Sequence, residues 1–285
     1  MKILLIGANG YVGSAVYKHF KSKNINIVGV DNFLRNDVEY KNKELVNSDY
    51  SNLDNNYLNE FTDCLWLSGY SSVSQAEQNP KNAFKNNLIN LVTFRQNFKG
   101  RFIYASSGSV YSREIPEYSV ETSQTAQPLN MYDYTKIAFD NYLIASGEKG
   151  IGLRFGTVNG PGINMKKELM INSMVKSGLK NRVIEVSNSE YFRPILSLED
   201  LINGLFKIVM SEIDNGIYNM CSLNSTIGEI AEKIAKKLNA KIEDKGSSKT
   251  YNFMMDNSKF QKNFEFQFSN ELDDIVSDLV SFYEK

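Results

Sequence analysis

The stretch KILLIGANGYVG, Lys2 to Gly13, sets Gly7, Gly10 and Gly13 three residues apart directly behind an apolar run. Glycines at a strand-to-helix turn permit positive φ and let the backbone approach a ligand, so these letters fit a tight turn or a phosphate cradle. The residues beyond Gly13 decide between the two. Gly13 opens a helical pattern, and the next apolar run, INIVGV at residues 25–30, ends at Asp31. An acid about 20 residues beyond such glycines is where a ribose 2′-hydroxyl finds its acceptor. The spacing predicts a strand, a glycine turn and a helix whose positive N-terminus holds a pyrophosphate, with Asn9, Tyr11 and Val12 in the same loop. A carboxylate at Asp31 disfavours a 2′-phosphate, so the expected cofactor is NAD rather than NADP, Arg35 being the nearby residue that argues the other way.

The rest of the chain continues this rhythm. Apolar runs at 2–6, 26–30, 64–67, 101–105 and 151–155 read as strands, and amphipathic stretches at 11–23, 82–98 and 131–145 read as helices between them. Alternation of this kind predicts an α/β fold, a Rossmann-type doubly wound parallel sheet. Past GTVNGPG, residues 156–162, turn residues cluster and the pattern loosens. We expect a cofactor-binding domain over 1–158 and a smaller α/β substrate lobe over 159–285, some elements of which return to the first domain. In the second part, helices are expected at 168–179, 198–211, 226–238 and 270–283 and a strand at 216–221, with Thr226 and Glu229 in capping-box spacing.

Composition narrows the function classes. The chain has 285 residues, enough for a large core without a disulfide or metal staple. A net charge of −1 supplies no basic field for nucleic acid or an anionic membrane, so a small ligand is the expected partner. Cys64 and Cys221 have neither paired nor metal-like spacing and read as reduced thiols in a core, with no metal site implied. With neither a leader pattern nor a long apolar run, the expected location is the cytoplasm.

Two further stretches carry chemistry. RFIYASSGSVYS places Ser106 and Ser107 just past a strand, at the end where open α/β sheets hold ligands. MYDYTK then sets Tyr132 and Lys136 four apart on one face of a helix. A phenol is a poor base at neutral pH, and an adjacent ammonium favours the phenolate. Tyr132 thus suits proton removal from an alcohol while hydride leaves the same carbon, with Lys136 lowering its pKa and bonding the nicotinamide ribose, and Ser107 holding the substrate oxygen. The plainer alternatives are a chance Tyr/Lys pair among 16 tyrosines, and serines that only cap a turn.

In these motifs the sequence resembles the extended short-chain dehydrogenases/reductases, in particular the NAD-dependent sugar-nucleotide epimerase/dehydratase group. The likeness runs through GANGYVG, VDN, LSGYSSV, NPKNAFKNN, ASSGSVYS, YDYTK, LRFGTVNGPG, RPILSLEDL and GIYNMCS, and so covers nearly the whole chain. It implies that Gly7, Gly10 and Gly13 cradle the pyrophosphate, that Asp31 and Asn32 meet the adenosine ribose, and that Asp49 and Tyr50 sit by adenine. It implies too that Ser68, Gly69 and Tyr70 line the cofactor, that Asn87 supports the site, and that Ser107, Tyr132 and Lys136 are the catalytic set. Thr157, Asn159, Asn172 and Arg193 fall on the substrate side, Arg193 toward a diphosphate. The resemblance also implies a homodimer paired through the helices at 82–98 and 131–145.

Departures from the family pattern narrow the reaction. Gly108 and Ser109 stand where sugar dehydratases carry acids, and neither cysteine nor His19 occupies the acid/base positions of the 3,5-epimerases. Hydride chemistry at C4 of a nucleotide-activated sugar remains, as a 4-epimerase or a 4-dehydrogenase/reductase for a surface-polysaccharide sugar. Thr157 and Asn159 replace the usual Asn and Tyr, so the nucleotide stays open. The competing readings are an NADP(H)-linked reductase of a keto sugar or small carbonyl compound, and a non-catalytic NAD-binding regulator.

Overall fold

The computed structural model describes residues 1–34, 40–112 and 116–284. Seven strands lie side by side in the order Gly216–Met220, Ile151–Phe155, Arg101–Ser107, Asp63–Trp66, Ile3–Ile6, Ile27–Asp31 and Val46–Asn47, and every pairing is parallel. The chain runs outward from Ile3–Ile6 in one direction and then resumes on its other side, which opens a crevice at the carboxyl ends of the central strands. The fold is the doubly wound Rossmann type.

Each strand shows two faces to two cores. Ile3 and Leu5 pack on one side with the helices Tyr11–Ser22, Met170–Asn181, Leu198–Val209, Ile227–Leu238 and Leu272–Tyr283. Leu4 and Ile6 pack on the other with Leu91, Phe94, Phe139 and Leu143, from the helices Asn90–Asn97 and Met131–Ser146. A strand buried on both faces needs apolar residues at every position, which is why ILLI is continuous rather than alternating.

Two expected boundaries move and a third holds to within a residue, each for a local reason. The fifth strand of the chain extends through Ser107 because Ser106 and Ser107 keep pairing with Arg154 and Phe155. The helix expected over 82–98 begins at Pro80 and is interrupted by a π turn, Lys85–Ile89, before Asn90–Asn97. Such turns are frequent at functional sites, and here Asn87 lies in it, buried. Helix Met131–Ser146 starts at Asn130, whose side chain accepts the Asp133 N–H, and stops at Gly147 with φ +71°.

The strand Gly216–Met220 from the second half of the chain forms one edge of the large sheet. Phe192–Ser197 runs between Thr157–Asn159 and Leu223–Thr226 in a separate three-stranded sheet. Met254–Met255 pairs with Tyr118–Ser119, and Tyr251 nearby in the chain reaches the start of helix Met131–Ser146 at Asp133.

Candidate active site

The glycine turn divides its duties. Gly7 has φ +85°, and a Cβ there would sit 2.8 Å from the Ser68 nitrogen; a Cβ on Gly13 would collide with the Gly7 carbonyl oxygen. Packing of the chain on itself therefore demands both. Gly10 differs, because its Cβ would meet only that same oxygen, at 3.3 Å. It caps helix Tyr11–Ser22, whose first turn carries no acid and whose N-cap makes no side-chain bond. An open backbone at a helix N-terminus fits a pyrophosphate.

The other loop side chains hold this shape. Asn9 donates its backbone N–H to Asp31 Oδ2 at 2.9 Å, and its amide bonds the Tyr40 carbonyl and the Asn42 N–H. Tyr11 donates its hydroxyl to the Gly160 carbonyl at 2.6 Å, burial pushing its pKa up, and Val12 packs on the core. Asp31 ends its strand at the crevice with Oδ1 accepting the Phe33 N–H at 2.8 Å. Arg35 lies outside the described residues.

On the same side Asn32 Nδ2 donates to Asp49 Oδ2 at 2.9 Å. Burial pushes the Asp49 carboxyl up, but hydrogen bonds from Ser51 and Asn32 outweigh it and leave the group below its usual value. Tyr50 turns into the core against Trp66, with ring centroids 4.6 Å apart, and its hydroxyl bonds Asn86 and Asn90. Across the crevice the turn Ser68–Gly69–Tyr70 is fastened by Asn87, which accepts from the Tyr70 N–H at 2.9 Å and donates to its carbonyl at 3.0 Å. Gly69, at φ +151°, lets that amide come close: a Cβ would lie 2.8 Å from Asn87 Oδ1.

Ser107, Tyr132 and Lys136 converge at the end of Arg101–Ser107. Lys136 Nζ donates to the Ala105 carbonyl at 2.7 Å and lies 5.7 Å from the centre of the Tyr132 ring. The Ser107 hydroxyl lies close enough to the Tyr132 phenol to lower its pKa. Burial dominates both ionisations in the protein alone: it pushes Tyr132 up to about 12, against the lowering effect of Ser107, and Lys136 down to about 8, against the pull of Asp140. In the protein alone the phenol's ionisation is set first by desolvation, with Ser107 lowering it and the Asp133 charge raising it.

The substrate-side expectations separate. Asn159 and Asn172 are buried, and their amides are committed to backbone: Asn159 to the Thr157 carbonyl and the Ile171 N–H, Asn172 to the Gly160 N–H and the Lys166 carbonyl. Thr157 is partly exposed. Arg193 is buried and donates to the Tyr251 carbonyl and the Thr250 hydroxyl. Both acceptors are neutral, so burial pushes its pKa down to about 10 and leaves a cation suited to an anionic ligand.

Sequence reasoning missed several polar groups behind these residues. Asp140 accepts from Tyr104 at 2.8 Å, Ser106 at 3.1 Å and Arg154 Nε at 3.0 Å, all buried. Asp133 accepts from Ser109 and from Tyr251, which arrives from 118 residues away. No spacing in the sequence singles out either carboxylate.

Over residues 3–221 the sequence matches the model of the NAD dependent epimerase/dehydratase family. It is 26% identical over 261 residues to the ADP-L-glycero-D-manno-heptose-6-epimerase of Brachyspira hyodysenteriae, covering 83% of this chain and 80% of that protein. It is 24% identical over 327 aligned positions to the UDP-glucose 4-epimerase of Mycoplasma genitalium, covering 99% and 96%. The solved UDP-glucose 4-epimerase of Thermotoga maritima with UDP-glucose superposes with a TM-score of 0.87 at 18% identity, covering 100% of this chain and 99% of that one. Among the described residues no helix is long and apolar enough to cross a membrane, and no cluster of His, Cys, Asp and Glu suits a metal. The family match begins at Ile3 in the first strand and runs past the glycine turn and the Ser/Tyr/Lys set to Cys221; the chain belongs to the NAD dependent epimerase/dehydratase family, and its cofactor is NAD.

Proposed function

We propose that the protein transfers hydride at C4 of a nucleotide-activated sugar, as a 4-epimerase or a 4-dehydrogenase/reductase. One observation carries the reading: Ser107, Tyr132 and Lys136 gather at the carboxyl end of Arg101–Ser107, with no acid at Gly108 or Ser109. NAD, when bound, supplies the hydride acceptor and donor. Tyr132 moves the proton of the sugar hydroxyl, Ser107 holds the same oxygen, and Lys136 holds the cofactor ribose and offsets negative charge on the phenol. Gly7, Gly10 and Gly13 frame the pyrophosphate, and Asp31 and Asn32 take the ribose. Arg193 supplies the charge for a nucleotide diphosphate. A role for the product in a surface polysaccharide, and a location in the cytoplasm, rest on the family resemblance.

The Brachyspira relative is named for position 6 of a heptose, so the reacting carbon is the point to measure. The protein is incubated with a panel of UDP-, GDP-, CDP-, dTDP- and ADP-sugars while NADH absorbance and C4 configuration by NMR are followed. NADH accumulation identifies net oxidation, and inversion without it identifies epimerisation. Tyr132→Phe should lower turnover by about 10²-fold or more; full turnover in that variant refutes the catalytic assignment.

We further propose a homodimer. Ile89, Tyr134 and Ile144, on the helical segments of residues 80–97 and 131–146, are 48%, 46% and 69% exposed, more apolar surface than a solvated helix pair needs. Light scattering should return twice the 32.4 kDa chain mass.

A further inference from the structure

The segment from Gly160 to Lys166 follows the strand Thr157–Asn159 and is tied to both turns that flank the cofactor crevice. Asn172 closes its neck: the buried amide accepts the Gly160 N–H at 3.1 Å and donates to the Lys166 carbonyl at 2.9 Å. Two ends held by one side chain make a compact loop. Met165 anchors that loop in the core.

On the side of the glycine turn, Tyr11 donates its hydroxyl to the Gly160 carbonyl at 2.6 Å. Asn164 Nδ2 donates to the Asn9 carbonyl at 2.7 Å and to the Tyr40 carbonyl at 3.0 Å. On the other side Lys166 Nζ donates to the hydroxyl of Ser71, the residue after Tyr70, at 2.6 Å. Asn164 and Lys166 are both buried, so water offers their polar groups little in exchange for these partners. Each of these bonds joins protein to protein. The loop therefore closes without help from a cofactor, and NAD has to pass it going in as well as coming out.

We propose that Gly160–Lys166 is a strap across the mouth of the NAD crevice, with Asn164 as its clasp on the glycine turn, and that its opening sets the rate at which the cofactor enters and leaves. The proposal rests on the placing of NAD between the glycine turn and Ser68–Tyr70 given above. Asn164 is a positioning residue, acting through the strap rather than on the sugar. The strap then governs how fast oxidised cofactor is traded for reduced.

The test uses NADH as the probe, read by energy transfer from Trp66, the single tryptophan, whose Nε1 donates to the Ser68 carbonyl at 3.0 Å. Stopped-flow mixing of NADH with charcoal-treated protein gives the association rate constant, and displacement of bound NADH by excess NAD gives the release rate constant. Asn164→Ala removes the bonds to Asn9 and Tyr40, each worth roughly two- to tenfold in the opening equilibrium, so both rate constants should rise by about tenfold or more while Kd moves by less than about threefold. Ser71→Ala, at an exposed position, loosens the other end and should raise both rate constants by about threefold. It also serves alone if the circular dichroism of Asn164→Ala departs from native. Native rates in both variants overturn the proposal. So does release that quickens while association stays native and Kd weakens in step, because that pattern marks a lost contact with bound cofactor and not a gate. Failure of the native protein to take up NADH at all refutes the placing of the cofactor and the strap with it, an outcome distinct from unchanged rates.

Discussion

Replacing Asp140 by asparagine keeps the size of the side chain and removes one buried charge. Asp140 and Arg154 are 1% and 4% exposed, and the carboxylate meets three donors: Tyr104, Ser106 and the Arg154 Nε. An amide turns its own N–H₂ toward at least one of them. Among the described residues the other acceptors of Arg154 are the Tyr111 hydroxyl and the Glu121 carbonyl, both neutral, so the guanidinium faces at best an amide oxygen where it had a carboxylate. Removing one partner of a buried pair costs about 3–5 kcal/mol, a large part of the roughly 5–15 kcal/mol that holds a domain together. Lys149–Asp214 is the internal control, since its side chains are 65% and 46% exposed and such pairs are worth about 0–1 kcal/mol. Urea denaturation of Asp140→Asn and Asp214→Asn at neutral pH should separate the two by about 2 kcal/mol or more. Equal losses below about 1 kcal/mol would refute the view that the low dielectric around Asp140 decides its worth. The change also reaches the site, because Asp140 helps hold the Lys136 ammonium charged.

The glycines should respond differently. Gly13→Ala drives a methyl into the Gly7 carbonyl and should lose both NAD binding and several degrees of melting temperature, whereas Gly10→Ala should melt within a few degrees of native yet bind NAD at least about tenfold more weakly by calorimetry. Native affinity in Gly10→Ala would remove the cradle reading. Lys136 sets a pH dependence: its folded pKa is about 8 against the usual 10.5, so between those values the unfolded chain holds a proton that the folded chain has released. Stability from this group therefore rises with pH, by at most about 1.4 kcal/mol per unit. Tyr132, pushed up to about 12, works the opposite way above its usual 10.0, and the buried Cys64 and Cys221 thiols, both pushed up from 9.0, do so above about pH 9, so the rise is read from about pH 8 to 9. In Lys136→Met the rise should vanish from the denaturation midpoints, and a slope that persists would place its source elsewhere.

The local patterns were legible in the residues because their causes are local. An unbroken ILLI announces a strand buried on both faces, and glycines three apart announce a turn whose φ and close approach only glycine allows. Tyr132 and Lys136 meet because a helix repeats near four residues. Even so, the strand that carries Ser107 ran further than expected, since Arg154 and Phe155 continue its pairing from a distant segment.

By itself the sequence determined the Rossmann sheet, the NAD turn and the candidate catalytic trio, each written within one strand, turn or helix. Only the tertiary structure decided what the other polar residues do. Asn159 and Asn172 commit their amides to nearby backbone, Tyr50 faces the core rather than the crevice, and Asp133 is joined to Ser109 on one side and to Tyr251 on the other. The reason is that a polar group leaving water must find a partner wherever the chain brings one. For Asp133 that partner lies 118 residues away, a distance no periodicity reports.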